Sequence, residues 1–247
     1  MKMKKKPLIS IVTVVYNNVN EIEQTILSVL NQTYLNIEYI IIDGGSIDGT
    51  IDCIKKYSSQ ISYWISESDE GVYDAMNKGI SKASGEWINF MNSGDCFFSE
   101  STITDFFNYV NDGMDVIFGD TVIKRRKHQQ VRNGELKEND FPGLCHQSVF
   151  VRTDLMLRYK FELKYKIAAD FNFLYKLFTA GYKFQYIPII VSVYDVSHGL
   201  SADNRVRLYL ECCVIKGEKM NRRKLFVYRM KDFLSKILPR MVLDLKK

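Results

Sequence analysis

Asp95 stands at the end of a short, mostly apolar run, Glu86-Trp-Ile-Asn-Phe-Met91, after the polar turn Asn92-Ser93-Gly94. A carboxylate at the mouth of a buried strand suits a metal ion or a phosphate-bearing ligand. Hard cations take oxygen ligands, and open α/β sheets bind ligands beyond the carboxyl ends of their strands. Other strand-like runs end in the same way. Tyr16-Asn17 follows the first, Asp43 the second, and Ser66-Glu67-Ser68-Asp69 the third. Polar strand ends directed at one crevice point to nucleotide binding, and the motifs narrow which kind. GxGxxG is absent, which disfavours a dinucleotide fold. Gly44 to Gly49 has the spacing of a phosphate loop, but Thr50-Ile51 follows where Lys-Ser/Thr is needed, so this is not a P-loop NTPase.

The elements that must position these residues alternate. Leu8–Val15 is rich in β-branched residues and reads as a strand buried on both faces. Asn20 is expected to cap a helix to about Leu30, with Ile22, Ile26, Val29 and Leu30 inward. Ile37–Ile42 is a second strand, Thr50–Tyr57 a short helix and Ile61–Ser66 a third strand. Asp69 is expected to cap a helix from Val72 to Ala83, which Ser84-Gly85 stops. Glu100–Val110 reads as a helix and Asp115–Gly119 as a strand. This alternation predicts a parallel, doubly wound sheet. Lys124–Asp140 breaks it and reads as an exposed strand pair or a loop. His146–Arg152 reads as a strand. Ala168–Gly181 reads as a helix with Phe171, Leu174, Tyr175 and Phe178 inward. Tyr182–Tyr194 carries one or two strands, and residues 203 to about 219 form a further helix.

A chain of 247 residues can bury one large core. No apolar run approaches the ~18 residues of a spanning helix. The basic, apolar N-terminus lacks a small-residue cleavage site and reads better as the first strand than as a signal peptide. Five cysteines without a CxxC pair fit free thiols in a reducing compartment and disfavour zinc. The net charge of +5 is uneven: residues 216–247 hold 11 Lys+Arg and 3 Asp+Glu, a net of +8, leaving 5 − 8 = −3 for the rest. A slightly acidic body argues against nucleic acid as a partner, and the basic tail suits an anionic surface. Asn221–Leu238 reads as a basic amphipathic helix. Phe226, Met230, Phe233, Leu234, Ile237 and Met241 lie along one side of this tail.

The segments PLISIVTVVYNN, IIIDGGSIDGT, SESDEGVYDAMNKGISKASGEWINFMNSGD and AADFNFLYKLFTAG, in this order, resemble glycosyltransferase family 2 proteins of the GT-A fold over about residues 7–200. The resemblance implies a Rossmann-like, mostly parallel α/β sheet and inverting sugar transfer from a nucleotide-sugar, usually a UDP-sugar, with Mg2+ or Mn2+ on the diphosphate. It implies a catalytic domain over 1–205, with a donor half at about 7–120 and an acceptor half at about 121–205, and the basic, helical pattern that follows reads as an extension at 206–247. Carried over, Tyr16, Asn17 and Asp43 face the nucleotide. Asp69, Asp74, Asn77 and Lys78 match the D-x-G-x-Y-D-A-M-N-K-G segment, in which Lys78 would offset diphosphate charge. Asn92 to Asp95 occupies the DxD position with Asn92 in place of the first acid. Asp95 is thus the metal ligand, with Ser93 and Gly94 beside the donor. Asp170 matches the acid that opens the acceptor-side helix and is the expected general base, which inverting transfer requires to take the acceptor proton. Its usual acidic neighbour is Ala169 here. His146-Gln147 resembles a pair beside the active site in some relatives. His198 is a second metal candidate.

Each of these residues has a plainer reading as well. Asp43 could be a turn former, Asp170 a helix cap, Lys78 a solvated surface lysine, and His146-Gln147 a structural hydrogen bond. Two other functions stay open at this level. A nucleotidyltransferase would want a Gly-rich basic loop after the first strand, where Val15-Tyr-Asn-Asn-Val19 stands. A degenerate sugar-nucleotide or glycan-binding module would fit Asn92 and Ala169. The leading expectation is a cytoplasmic glycosyltransferase of cell-surface polysaccharide synthesis, lipopolysaccharide or capsule, acting on a glycan or lipid-linked acceptor. Residues 219–241 would then make peripheral contact with the inner face of the membrane.

Overall fold

Burial explains the centre of the fold. All seven residues of β1 (Ile9–Val15) are buried, as a strand covered on both faces requires. Alternate side chains go to opposite layers. Ile9, Ile11 and Val15 pack with residues of α1 (Ile22–Leu30), α2 (Thr50–Lys56) and α4 (Thr102–Phe107). Val12 and Val14 pack with α3 (Val72–Lys82), α5 (Thr153–Tyr159) and α6 (Ala169–Thr179) on the other side. The protein is described from a computed structural model covering residues 6–125, 128–134, 141, 143–196 and 204–237.

β1 lies between β2 (Ile37–Asp43) and β4 (Trp87–Phe90), and β3 (Tyr63–Ser66) flanks β2, all parallel. The sheet then departs from an all-parallel plan. β8 (Val149–Arg152) runs antiparallel to both β4 and β6 (Val116–Arg125). β9 (Phe184–Asp195) is parallel to β6, and the two-residue β5 (Cys96–Phe97) is antiparallel to β9. The order is β3-β2-β1-β4-β8-β6-β9-β5. The reason lies after β6, where the strand–helix alternation stops. The exposed β7 (His128–Arg132) folds back on β6 as a hairpin. Parallel neighbours need a long crossover, usually helical, and no α-helix lies between β6 and β8 among the described residues. Because β8 is antiparallel to both neighbours, β9 still runs the same way as β1. Its carboxyl end meets the same edge of the sheet.

Several local expectations need correction. α1 begins after Glu21, and the Asn18 carbonyl, not Asn20, accepts from the Glu21 and Ile22 N–H groups. Asp69 does not cap α3. It accepts from Gly71 N–H at 2.8 Å, and Gly71 itself stands at the cap position just before Val72. His146–Ser148 is a 3-10 turn ahead of β8 rather than strand. α5 and β5 were not anticipated. The inward face of α6 is rotated from the expected one. Ala169, Asn172, Phe173, Leu174 and Leu177 are buried, while Phe171, Tyr175 and Phe178 surround Phe141 in a half-buried aromatic layer.

α3 lies so close to β1 that a Cβ on Gly79 would overlap Val12 Cγ1. At the C-terminal end, α7 (Arg205–Lys216) turns at Gly217, whose φ of +66° suits glycine, into α8 (Arg222–Ile237). Tyr209 and Tyr228 pack at 5.2 Å between the two helices. Leu225 is buried on α8, whereas Phe226, Met230 and Phe233 of the expected stripe are exposed. Among the described residues no helix is long and apolar enough to cross a membrane.

Candidate functional site

A cleft of about 670 Å³ opens beyond the carboxyl ends of the strands, and a second cavity of about 530 Å³ shares Asn18, Val72, Tyr73, Asn92 and Ser93 with it. The turn after β4 forms the shared floor. Asp95 N–H closes on the Asn92 carbonyl at 2.9 Å, and Ser93 N–H bonds Val14 O at 3.1 Å, which ties the turn to β1. Gly94 has φ +99°, and its backbone runs beside Glu21: a Cβ there would lie 2.8 Å from Glu21 Oε2.

Asp95 is 7% exposed, and Gln147 Nε2 donates to its Oδ2 at 2.9 Å. Burial pushes its carboxyl up to about 7. Glu21 and Asp195 push the same way, while His146 and the Gln147 bond oppose them. Next to it runs a polar chain. Asn92 Nδ2 lies 3.2 Å from His146 Nε2, and His146 Nδ1 lies 3.2 Å from Asp170 Oδ2. The Tyr73 hydroxyl is 2.8 Å from both Asp170 Oδ1 and Ile167 O. Burial works against the Asp170 carboxylate, but the His146 contact and charge, with the Tyr73 bond, hold it below the usual range. His146 moves the other way. Burial disfavours its imidazolium, and the bond and charge of Asp170 with the charge of Asp95 raise it above 6.5. Asp170 sits in the first turn of α6, where the helix dipole also favours the anion. Its side chain keeps 20% exposure in the cleft, so an ionised, oriented carboxylate is presented to whatever binds there.

A hard divalent cation fits this floor in a limited way. Asn92 Oδ1 is buried without a hydrogen-bond partner, an oxygen that a cation would satisfy, and Asp95 supplies a carboxylate nearby in the same turn. Among the described residues no cluster of three or more His, Cys, Asp or Glu side chains could hold a metal. The chain therefore offers few ligands of its own, and phosphate and water oxygens would complete the coordination. His198 lies outside the described residues.

The other candidate residues divide between cleft and scaffold. Tyr16, 65% exposed, and Asp74 line the second cavity. Asp69 lies against Gly44, where a Cβ would stand 2.5 Å from Asp69 Oδ2 and 3.3 Å from the Tyr16 ring. Asp43 is fully buried. It accepts from Gly45 N–H, Ser46 N–H and the Ser46 and Ser66 hydroxyls, so it shapes the turn after β2 and reaches neither cavity. Asn17, at φ +46°, ties the end of β1 to Ser46 and Ile47. Asn77 makes a two-way bond with the Phe161 backbone. Lys78 is occupied by Glu67 at 2.9 Å, Ser68 O at 2.8 Å and Asp74 at 3.7 Å, and lines neither cavity. Ser93 accepts from Asn18 Nδ2 at 3.0 Å on the cleft wall. His146 and Gln147 come together with Asp170 and Asp95 as described.

Sequence reasoning missed Glu21, Arg132, Tyr194 and Asp195, and Leu208 and Cys212 of α7, all of which line the main cleft. Tyr194-Asp195 had a signal, since it is the polar end of a strand like the others. The α7 residues had none, because nothing in their local pattern says that a helix so late in the chain returns to the sheet edge.

A ligand cleft at the carboxyl edge of this mixed sheet, with an acid-bearing turn after β4 and an acid opening α6, defines a GT-A glycosyltransferase. The family profile described as Glycosyl transferase family 2 matches residues 10–177, and the chain belongs to that family. It is 26% identical over 203 residues to a PGL/p-HBAD biosynthesis glycosyltransferase of Mycobacterium tuberculosis, covering 79% of each chain. A 92-residue stretch is 41% identical to an uncharacterized glycosyltransferase of Haemophilus influenzae, covering 36% of this chain and 37% of that one. Among solved structures, S. aureus TarS 1-349 in complex with UDP-GlcNAc superposes with a TM-score of 0.69 at 18% identity, covering 94% of this chain and 72% of that one. The Pyrobaculum calidifontis mannosyltransferase PcManGT, in complex with GDP-Man and Mn2+, superposes with a TM-score of 0.67 at 16% identity, covering 96% and 72%.

Proposed function

We propose that this glycosyltransferase moves a sugar, with inversion, from a UDP-sugar to a hydroxyl of a glycan or lipid-linked acceptor in cell-surface polysaccharide synthesis. The observation that carries the reading is the Asp170 carboxylate, held ionised between His146 and Tyr73 in the cleft that also contains Asp95. In this reading the donor diphosphate lies over the Asn92–Asp95 turn, and the nucleoside extends toward Tyr16 and Asp69. Asp95 and Asn92 Oδ1 would hold Mg2+ or Mn2+, which when bound supplies positive charge to the leaving diphosphate. Asp170 accepts the proton of the acceptor hydroxyl as that oxygen attacks the anomeric carbon. His146 and Tyr73 fix the carboxylate in one orientation. The test is a thermal-shift screen of UDP-, GDP- and dTDP-sugars with and without Mn2+, followed by an assay for UDP release. Asp170→Asn and Asp95→Ala should cut release by about 100-fold or more, leaving a small residual rate. Wild-type turnover in both variants would refute the site.

The acceptor side of the proposal includes a membrane surface. On α8, Phe226, Val227, Met230 and Phe233 are 65%, 48%, 40% and 57% exposed, beside exposed Arg222, Arg223 and Arg229. Such a face suits an anionic bilayer, here the inner face of the cytoplasmic membrane, where a lipid-linked acceptor would lie. Phe226→Ser with Phe233→Ser should release the protein from vesicles containing anionic lipid. Equal co-sedimentation of variant and wild type would remove this part of the proposal.

A further inference from the structure

We infer that Glu211, on the C-terminal helix α7, is a positioning residue for Asp170, so that the C-terminal segment is a working part of the active site. The inference rests on the reading of Asp170 as the base. Glu211 Oε1 accepts from Lys166 N–H at 3.0 Å, and its Oε2 accepts from Ile167 N–H at 2.9 Å and Ala168 N–H at 3.0 Å. Three consecutive backbone donors thus converge on one carboxylate from a helix more than forty residues later in the chain. Its side chain is 12% exposed, and Arg207 Nε holds Oε1 from the same helix at 2.9 Å. Burial works against the Glu211 carboxylate, but the backbone donors and Arg207 keep it below its ordinary range, so it is charged at neutral pH. Charge-assisted bonds of this kind are the strong ones.

The segment it grips leads straight to Asp170. Ala168 O accepts from Asn172 N–H at 2.8 Å and so forms the first turn of α6. Ile167 O is the second acceptor offered to the Tyr73 hydroxyl that meets Asp170 Oδ1. Moving 166–168 therefore moves both the backbone that carries Asp170 and the hydroxyl that orients it. α6 has no side chain of its own at its cap, so the anchor comes from elsewhere. On α7, Leu208 and Cys212, one turn and one residue from Glu211, line the main cleft. A helix that only closed the fold would not also wall the site.

The experiment follows UDP or GDP release by the full chain with Mn2+. The donor is whichever of UDP-glucose, UDP-N-acetylglucosamine and GDP-mannose the wild type hydrolyses fastest. Glu211→Gln keeps the shape but turns an amide donor toward backbone donors. A displaced base can cost on the order of 100-fold, so kcat is expected to fall about 10- to 100-fold, with KM for the donor within about twofold. Glu211→Asp should recover part of the loss. In an Asp170→Asn background, Glu211→Gln should change the residual rate by less than about twofold, because residues acting through one group are non-additive. If Asp170→Asn keeps wild-type kcat, the base reading itself fails. If Asp170→Asn is strongly impaired but Glu211→Gln keeps wild-type kcat, changes only KM, or costs the same factor in both backgrounds, the positioning role is overturned. Should Glu211→Gln fail to fold, Arg207→Ala carries the same test, with a kcat loss of about threefold or more expected on the same argument and unchanged kcat overturning it.

Discussion

Asp95→Asn should make the metal-free protein more stable, and more so as pH rises. Asp95 is 7% exposed, and its carboxyl is pushed from 3.8 up to about 7, burial being the main cause. A carboxyl whose folded pKa is raised binds extra protons in the folded state between those two values. Stability therefore falls as pH rises through that window, and the full cost is present above about 7. Three units at about 1.4 kcal/mol each give roughly 4 kcal/mol at pH 8. At pH 5 the same arithmetic gives roughly 2 kcal/mol, and near pH 3 nothing. Asparagine keeps the shape, can still accept from Gln147 Nε2, and carries no charge. For a chain of this length 1 kcal/mol corresponds to about 2–4 °C. The variant should therefore melt roughly 10 °C above wild type at pH 8 in EDTA, with the gap closing on acidification. Thermal unfolding from pH 4 to 8.5 reads it directly. A gap independent of pH, or a variant less stable at pH 8, would refute the burial argument. Catalysis should move the opposite way, because Asp95 is the carboxylate that the proposed cation uses.

Three further outcomes follow from the geometry. Asp170 has a lowered pKa and His146 a raised one. Their contribution is therefore largest between the ordinary carboxylate and imidazole ranges. It is lost as pH falls through the Asp170 value and as pH rises through the His146 value, and His146→Gln should flatten the alkaline fall, which urea titrations at pH 6 and 8.5 would check. Gly44→Ala places a Cβ 2.5 Å from Asp69 Oδ2. It should weaken donor binding by about 1 kcal/mol, roughly fivefold, with kcat little changed, and isothermal titration with the UDP-sugar measures it. Gly79→Ala forces α3 off Val12 and should cost about 1–3 kcal/mol as overpacking does, seen as a lower denaturation midpoint with donor KM unchanged.

The parallel half of the fold was legible because each of its strands is locally marked. β1 is continuous apolar β-branched sequence, and β2, β3 and β4 each end in a polar turn. Helix caps were less so. Asp69 and Asn20 are good cap residues by type, but backbone turns at Gly71 and Asn18 took that place. Asp95 and Asp170 could be singled out as acids in the right motifs. His146-Gln147 could be placed beside the active site by resemblance, but which acid each would meet could not, since the His146–Asp170 and Gln147–Asp95 bonds span 24 and 52 residues. Asp43 and Lys78 show the opposite difficulty. Their types suit a ligand, yet burial and nearby partners commit Asp43 to its own turn and Lys78 to Glu67 and Ser68. Only three-dimensional proximity decides such cases. The rotation of α6 is similar, because either face of AADFNFLYKLF is apolar enough to pack.

The insertion of β8 beside β4 also bears on the order in which this chain can assemble. β3, β2, β1 and β4 come from the first ninety residues and pair among themselves. Until residue 152 is available, the far edge of β4 has no partner, and an unpaired edge invites association with other chains. That edge is four residues long and carries a buried asparagine, Asn89, whose Nδ2 later donates to Gln147 O at 3.0 Å and Val149 O at 2.9 Å. A short edge with a polar side chain on it is a poor template for a stranger and a specific one for β8. Asn89 thus serves the nascent chain as a guard and the finished one as a latch. The cleft closes in the same event, since Gln147 and His146 reach Asp95 and Asn92 only when β8 docks.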